Sequence, residues 1–311
     1  MIFDAHCDTA FELLQKEEIL EKNQLHLDME RMQEYQGYIQ VFAAFIDKNS
    51  VRISPLKHCL NILENAKKEF EKNKEIVLIK KPDEFKAVVR KKKTGAIFSI
   101  EGGEALEGKL SNLNLFFQMG VRLITLTWNY ANELADGIME PRGGGLTEFG
   151  VQAVKMMEKL GILIDVSHLS EKGFWNVAEV TQFPFIASHS CVKTLCSHPR
   201  NLNDAQIKLL IERNGGMGIN FYPPFLTENN KCTIEDILRH MAYVLDMGGQ
   251  RILGIGSDFD GVDQLPEGIY GIESIKDVIF TMQNAGFSDE IIENITFQNF
   301  YRIFSQSFDR I

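Results

Sequence analysis

The chain has 311 residues, of which 44% are hydrophobic and 24% charged, a composition typical of folded globular proteins. Its net charge of −10 argues against a nucleic-acid partner, because phosphate binding requires clustered lysine and arginine. The one basic run, Arg90–Lys93, is better explained as a solvated turn between a helix and a strand.

Apolar runs along the chain predict eight β-strands. The first is short and starts at Ile2 and Phe3, and the others cover residues 38–46, 95–100, 122–127, 161–166, 183–188, 216–221 and 251–257. A shorter run at residues 76–79 is a candidate extra strand. These runs are continuous rather than alternating, which is typical of strands buried on both faces of a parallel sheet.

Segments of helical periodicity separate the strands. They cover about residues 56–72, 147–160, 170–180, 204–212, 233–245, 274–284 and 288–304. Asp204 is the predicted N-cap of one helix, and Thr233 with Asp236 has the spacing of a capping box. Alternating strands and helices in a chain of this length favour an α/β fold of one domain, residues 1–311: a (β/α)8 TIM barrel rather than an open sheet. The long connection between residues 127 and 147 is predicted to be a loop at the active-site end.

Side chains capable of metal binding or proton transfer come directly after predicted strands. They are His6 and Asp8 after the first strand, then Glu101, His168, His189 and Asp258, each after a later one. In a barrel the carboxyl ends of all strands share one face, which is where barrel enzymes place their active sites. The pattern therefore predicts that these six side chains form one cluster.

Imidazole and carboxylate groups are the ligands that Zn²⁺ and similar divalent ions prefer. Because alternate side chains of an extended backbone share a face, His6 and Asp8 can bind one ion while Cys7 points away. A glutamate can bridge two ions, and two further histidines can complete the second site. Five protein ligands are too many for one catalytic zinc but suit two ions about 3.5–4 Å apart.

Other candidates have structural explanations. A second His-x-Asp pair, His26 and Asp28, lies in a charged, helix-like segment with no strand before it. His58 and His240 lie in helical segments, where we expect core or surface positions. His198 lies in a predicted loop close enough to the cluster to support it.

We expect a protein of the reducing cytoplasm that binds no membrane. No apolar run approaches the roughly 20 residues of a membrane span, and no signal-peptide pattern is visible. The cysteines are odd in number and show no CxxC spacing, which disfavours a disulfide framework: Cys7, Cys59, Cys191, Cys196 and Cys232.

Several motifs together resemble one known family, the membrane (renal-type) dipeptidases, which are metallopeptidases of the amidohydrolase-like barrels. The motifs are "DAHCD", "SIEGG", "GLTEFGVQAVKMMEKLGILIDVSHLS", "IASHS", "HPRN" and "GIGSDFDG". The resemblance runs from His6 to about Gly261. It implies two zinc ions. One is held by His6 and Asp8, the other is held by His168 and His189, and Glu101 bridges them.

The resemblance also implies roles around the metals. Arg200 matches the arginine that binds substrate, and Asp258 matches the acid beside the metals, although Asp260 competes for that position. Mammalian members carry a substrate-binding histidine where this chain has Trp128. We therefore expect Trp128 or Asn129 to make that contact.

The implied reaction is hydrolysis of dipeptides, including those with a D-residue at the second position, by a hydroxide that bridges the metals. Asp258 would take the proton of the water and deliver it to the leaving amine. Arg200 would pair with the substrate carboxylate or the developing oxyanion. The alternatives are another metal-dependent amidohydrolase, such as a lactonase or a deaminase, and a catalytically silent metal-binding barrel, which only Trp128 favours. A homo-oligomer is compatible with the sequence.

Overall fold

The strands of the protein belong to one parallel sheet that closes on itself. The computed structural model describes residues 1–46, 54–229 and 231–310. The strands are β1 (Ile2–Cys7), β2 (Tyr38–Phe45), β3 (Ile76–Leu78), β4 (Thr94–Glu101), β5 (Val121–Thr125), β6 (Leu163–Asp165), β7 (Ile186–Ala187), β8 (Gly216–Ile219) and β9 (Leu253–Ile255). Pairing of β2 with β4 closes eight strands into a barrel in the order β1, β2, β4 to β9, and the predicted TIM barrel is confirmed. The extra strand β3 pairs with the first half of β4, outside this ring.

Helices pack around the barrel. They are α1 (Thr9–Gln15), α2 (Met29–Met32), α3 (Pro55–Lys72), α4 (Pro82–Lys91), α5 (Ser111–Met119), α6 (Glu148–Leu160), α7 (Glu171–Val180), α8 (Asp204–Glu212), α9 (Pro223–Leu226), α10 (Ile234–Asp246), α11 (Ile275–Asn284), α12 (Asp289–Glu293) and α13 (Asn299–Phe308). Short 3₁₀ turns lie at Gly103–Leu106 and Ile272–Ser274. Among the described residues, no helix is long and apolar enough to cross a membrane.

Two predicted helix features differ from the structure. The N-cap of α8 is Asn203 rather than Asp204: its side chain accepts the backbone N–H of Gln206, and the Gln206 side chain accepts the Asn203 N–H. The helix predicted over residues 288–304 is interrupted by a π-helical turn at Asn294–Gln298, which separates α12 from α13. The capping box of α10 is confirmed, because the Asp236 side chain accepts the Thr233 N–H.

Several strands end earlier than their apolar runs predict. The backbone N–H of Ser188 donates to the Asp165 carboxylate at 2.9 Å, and the N–H of Ser257 donates to the Asp4 carboxylate at 3.0 Å. At these two positions a carboxylate, rather than a backbone carbonyl of the neighbouring strand, accepts the backbone N–H, and regular strand pairing ends there. Both strands also begin later than predicted, at Ile186 and Leu253, so the apolar runs overestimate the length of β7 and β9 at both ends.

The core has an outer and an inner part. The outer cluster packs the helices against the strands and includes Cys7 and Phe42. The inner cluster combines Phe3 and Leu123 of the strands with Phe300 and other rings of α13. Burial of these large side chains supplies the main favourable term in folding. The basic run at residues 90–93 ends α4 and is largely exposed, as predicted.

Candidate active site

The first two candidate ligands reach the site by different routes. The register of β1 shifts between Asp4 and Cys7, where Ala5 still packs in the inner cluster and Cys7 already packs in the outer one. This bulge allows His6 to face the barrel mouth. Asp8 is the N-cap of α1, with φ −99° and ψ 11°, so the expected alternation along an extended strand is wrong. The chain turn nevertheless brings Oδ2 of Asp8 to 3.7 Å from Nε2 of His6.

Glu101 is the last residue of β4, and its two carboxylate oxygens face different histidines. Oε1 lies 3.0 Å from Nε2 of His168 and 3.5 Å from Nε2 of His189. Oε2 lies 3.3 Å from Nε2 of His6. The Nε2 atoms of His168 and His189 are 2.9 Å apart. One carboxylate therefore joins two groups of possible ligand atoms.

Asp258 lies on the side of His6. Its Oδ1 is 3.6 Å from Nε2 of His6, and its Oδ2 accepts a hydrogen bond of 2.8 Å from Nδ2 of Asn220. The N–H of Tyr222 donates to Oδ1 of Asn220 at 2.6 Å and so orients the amide. Sequence reasoning missed Asn220, although its place directly after β8 was a usable signal.

The donor atoms have the spacing of a metal coordination sphere. Tetrahedral bonds of about 2.0–2.1 Å imply ligand atoms about 3.3 Å apart, and the separations here run from 2.9 to 3.7 Å. Nε2 of His6 and Oδ1 of Asp8 are buried and form no well-aligned hydrogen bond with any described residue. The ligand atoms of His6, Glu101 and His189, and those of His6, Asp8 and Asp258, lie within 4.8 Å of one another. These residues fit divalent cations.

Burial and mutual repulsion shift the protonation of the cluster. Burial lowers the pKa of His168 to about 4, and burial together with the charge of His6 holds the pKa of His189 well below its usual value. Burial, reinforced by the charge of Glu101, raises the pKa of Asp8 to about 8. Burial opposes charging of His6, but the nearby carboxylates of Glu101 and Asp8 raise its pKa well above the usual value. Without a cation, the cluster therefore holds protons that a metal would displace.

The metal-free protein is expected to lose stability as the pH rises from about 6.5 to 8. In this window folded Asp8 still binds a proton that the unfolded chain has released, and His6 acts in the same direction. Each such proton gives a slope of up to about 1.4 kcal/mol per pH unit. His168 and His189 are already neutral there. In the presence of a chelator, the midpoint of thermal unfolding should fall as the pH rises over this window, and added zinc should remove this fall. A midpoint that rises with pH in the presence of chelator would contradict this assignment.

Buried hydrogen bonds orient the imidazoles. Nδ1 of His168 lies 2.9 Å from Oδ1 of Asn129. Nδ1 of His189 lies 2.7 Å from Oγ of Ser188, which donates to the Asp165 carboxylate at 2.5 Å. Such partners select the tautomer and ring orientation of metal-binding histidines. Sequence reasoning missed Asp165 and Ser188, whose signal was their position beside the two histidine motifs.

Three non-glycine residues at the strand ends have left-handed backbones: His168 (φ 66°), Asp258 (φ 63°) and Asp260 (φ 67°). Such conformations cost about 1–3 kcal/mol and persist where the surrounding structure enforces them. The carboxylate of Asp260 accepts hydrogen bonds from the Thr9 hydroxyl and the His26 N–H. The acid that approaches the histidine cluster is therefore Asp258.

Gly261 lies where no larger residue fits. A Cβ at this position would overlap Oδ2 of Asp8 and Oδ1 of Asp258. The glycine of the "GSDFDG" segment thus allows the loop after β9 to cross directly over both carboxylates.

Arg200 is buried beside His189, with 4% of its surface exposed. Its Nη2 donates to the carbonyl oxygen of His189 at 3.1 Å, and its guanidinium lies 5.3 Å from the ring centroid of Phe225. Its Nε has no hydrogen-bond partner among the described residues. Arg200 also lines the cavity described below, so its guanidinium can meet an anionic ligand there.

A cavity of about 480 Å³ opens above the cluster. Every residue predicted to contact substrate lines it, together with most of the candidate ligands: Trp128, Asn129, Arg200, Asp8, Glu101, His168 and Asp258. Trp128 packs edge-to-face on Phe45, with ring centroids 5.2 Å apart. His6 and His189 are fully buried.

The remaining candidates take structural positions. Asp28 is the N-cap of α2, and His26 accepts a hydrogen bond from the loop after β9. His240 is fully buried in α10 and hydrogen-bonds to the backbone of Val192 and Leu226. His58 lies half-buried on α3, and His198 lines the cavity. All five cysteines are buried and unpaired.

Comparison of the chain with known sequences identifies relatives along its length. The family described as membrane dipeptidase, peptidase family M19, matches residues 1–309. An uncharacterized dipeptidase of Schizosaccharomyces pombe is 28% identical over 300 residues, which cover 91% of this chain and 72% of the relative.

Solved structures share the barrel. A dipeptidase of family M19 superposes with a TM-score of 0.90 at 25% identity, covering 99% of this chain and 98% of that one. A metallopeptidase of Rhodobacter sphaeroides, solved with a phosphinate mimic of L-Ala-D-Ala, superposes with a TM-score of 0.89 at 24% identity, covering 98% of this chain and 99% of that one. By its sequence over nearly the whole length, this chain belongs to the membrane dipeptidase family.

Proposed function

We propose that the protein is a binuclear zinc dipeptidase that hydrolyses dipeptides, including those with a D-residue at the C-terminal position. The supporting observation is Glu101, which turns one carboxylate oxygen towards His168 and His189 and the other towards His6. Relatives described as dipeptidases support the substrate class. In this proposal residues 1–311 act as one catalytic domain.

The ligand sets follow from the two sides of Glu101. His6 and Asp8 would hold one ion, His168 and His189 the other, and Glu101 would contact both. When bound, the ions supply a shared water of lowered pKa, about 7, and polarise the substrate carbonyl.

Asp258 is the proposed acid–base residue. Burial raises the pKa of this carboxyl above its usual value, which favours proton uptake from the attacking water. The hydrogen bond from Asn220 holds Oδ2 and leaves Oδ1 directed at the cluster. The same carboxyl can then deliver the proton to the leaving amine.

Arg200 and Trp128 are the proposed substrate contacts. The guanidinium of Arg200, which lines the cavity, would donate to the carboxylate of the dipeptide. Asn129 has its Oδ1 committed to His168, so only its amide nitrogen would serve the substrate. The cavity of about 480 Å³ is within the range of about 300–1,000 Å³ usual for small-molecule sites. The buried, unpaired cysteines support a reducing compartment such as the cytoplasm.

The test combines metal analysis with a substrate panel. Purified protein should contain two zinc equivalents by mass spectrometry and should release amino acids from L-L and L-D dipeptides. Removal of the metals with a chelator should abolish this activity, and added zinc should restore it. Hydrolysis of a lactone, or deamination of an amine, without cleavage of any dipeptide would refute the proposal.

A further inference from the structure

We infer that the protein prefers dipeptides whose N-terminal residue carries a bulky apolar side chain, and that Phe11, Phe45 and Trp128 form the surface that selects it. The inference rests on the proposed dipeptidase function of the same cavity. It adds the substrate class, which membership of the family leaves open.

Three aromatic rings form a continuous surface on one side of the cavity. The ring centroids of Phe11 and Phe45 are 5.4 Å apart, and those of Phe45 and Trp128 are 5.2 Å apart, both edge-to-face. The ring of His168 lies next to that of Trp128, with ring centroids 6.3 Å apart. All three line the cavity and are partly exposed to it. This surface of Phe11, Phe45 and Trp128, the apolar wall, reaches a candidate metal ligand.

The barrel places the apolar wall opposite Arg200. Phe45 ends β2, whereas Arg200 lies in the connection that follows β7. In the closed order β1, β2, β4 to β9, these two strands are four positions apart in either direction. Phe11 and Trp128 follow β1 and β5, on either side of Phe45. The wall and Arg200 therefore face each other across the ligand cluster.

This opposition determines the direction of a bound dipeptide. Among the described lining residues, Arg200 is the only arginine or lysine, so the C-terminal carboxylate is expected there. The scissile carbonyl must lie over the ligand cluster between the two sides. The side chain of the N-terminal residue then extends towards the apolar wall.

Two acidic residues that line the cavity near the wall, Glu12 and Asp260, already have partners. Oε2 of Glu12 lies 2.7 Å from Nζ of Lys16. The carboxylate of Asp260 is used by the Thr9 hydroxyl and the His26 N–H. Because these carboxylates are occupied, the wall offers apolar contact rather than an ion pair to a basic side chain.

The experiment compares dipeptides that differ only in the N-terminal residue. With D-Ala kept as the second residue, kcat/KM for L-Leu and L-Phe should exceed that for Gly by about tenfold or more, because apolar side-chain groups are buried on the wall. L-Lys and L-Asp should rank below L-Leu. The ratios are taken within one preparation, so they do not depend on metal loading or on the folded fraction.

Variants of the wall test its role. Phe45→Ala and, separately, Phe11→Ala should each lower the Leu-to-Gly ratio about fivefold or more. Phe280→Ala, which alters an exposed ring on α11 outside the cavity, should leave the ratio unchanged. A second wall variant keeps the test decisive if the first does not fold.

Three results would overturn the inference. They are equal kcat/KM for Leu and Gly substrates in the unaltered protein, a ratio unaffected by both wall variants, or L-Lys as the best N-terminal residue. In each case dipeptides are still cleaved, so the proposed function stands. If the two-metal protein cleaves no dipeptide, the proposed function fails and this inference fails with it.

Discussion

Replacing Asp258 with asparagine is expected to lower kcat by about 10²–10⁴-fold, the usual contribution of a general acid–base group. Asparagine preserves the shape of the side chain and can still accept the hydrogen bond from Asn220. It cannot take up a proton, so proton transfer from the water to the leaving amine is lost. Steady-state kinetics and metal content should be measured on the same preparation. The variant is expected to retain two metal equivalents.

The matched control is Asp246→Asn, which changes an exposed carboxylate at the end of α10. This variant should keep both activity and metal. Full activity of Asp258→Asn would contradict the acid–base role. Loss of a metal equivalent in Asp258→Asn would instead identify this carboxylate as a metal ligand. Its Oδ1 lies 3.6 Å from Nε2 of His6, a distance that two ligands of one ion can have, so the metal measurement separates the two roles.

Replacing His189 with alanine is expected to remove one of two metal equivalents and to abolish turnover. Nε2 of His189 lies 3.5 Å from Oε1 of Glu101 and 2.9 Å from Nε2 of His168, so its loss leaves one ion with too few protein ligands. In the proposed two-ion site, an ion on the side of His6 would keep its carboxylate partners. Zinc content by mass spectrometry after dialysis measures the effect directly.

His58→Ala is the control for histidine removal, because His58 is half-buried on α3 and lies outside the ligand cluster. It should retain both metal equivalents. Circular dichroism should show that His189→Ala remains folded. Two equivalents retained in folded His189→Ala would refute its assignment as a ligand.

Part of the fold and of the site could be predicted because the signals are local. Continuous apolar runs separated by helical segments indicate a parallel barrel, and the structure confirms it. Glu101 and His189 were predicted from their places directly after apolar runs, and the structure brings them together. Their roles as ligands stay predictions until metal content is measured.

The supporting contacts could not be predicted because they join segments far apart in the chain. Asn220 holds Asp258 across neighbouring strand ends, and Asp165 holds His189 through Ser188. An asparagine or a serine after a strand has many common roles, so its type carries little information alone. The partner becomes visible only when the barrel is closed.

By itself, the sequence determined the class of fold and the chemistry of the donor set, because hydrophobic periodicity and ligand type can be read without coordinates. Only the tertiary structure decided how those donors meet. A bulge in β1 and a turn at Asp8, rather than strand alternation, bring His6 and Asp8 together. Closure of the barrel sets the aromatic rings near Phe45 opposite Arg200, because that arrangement depends on strand order around the ring and not on any local pattern.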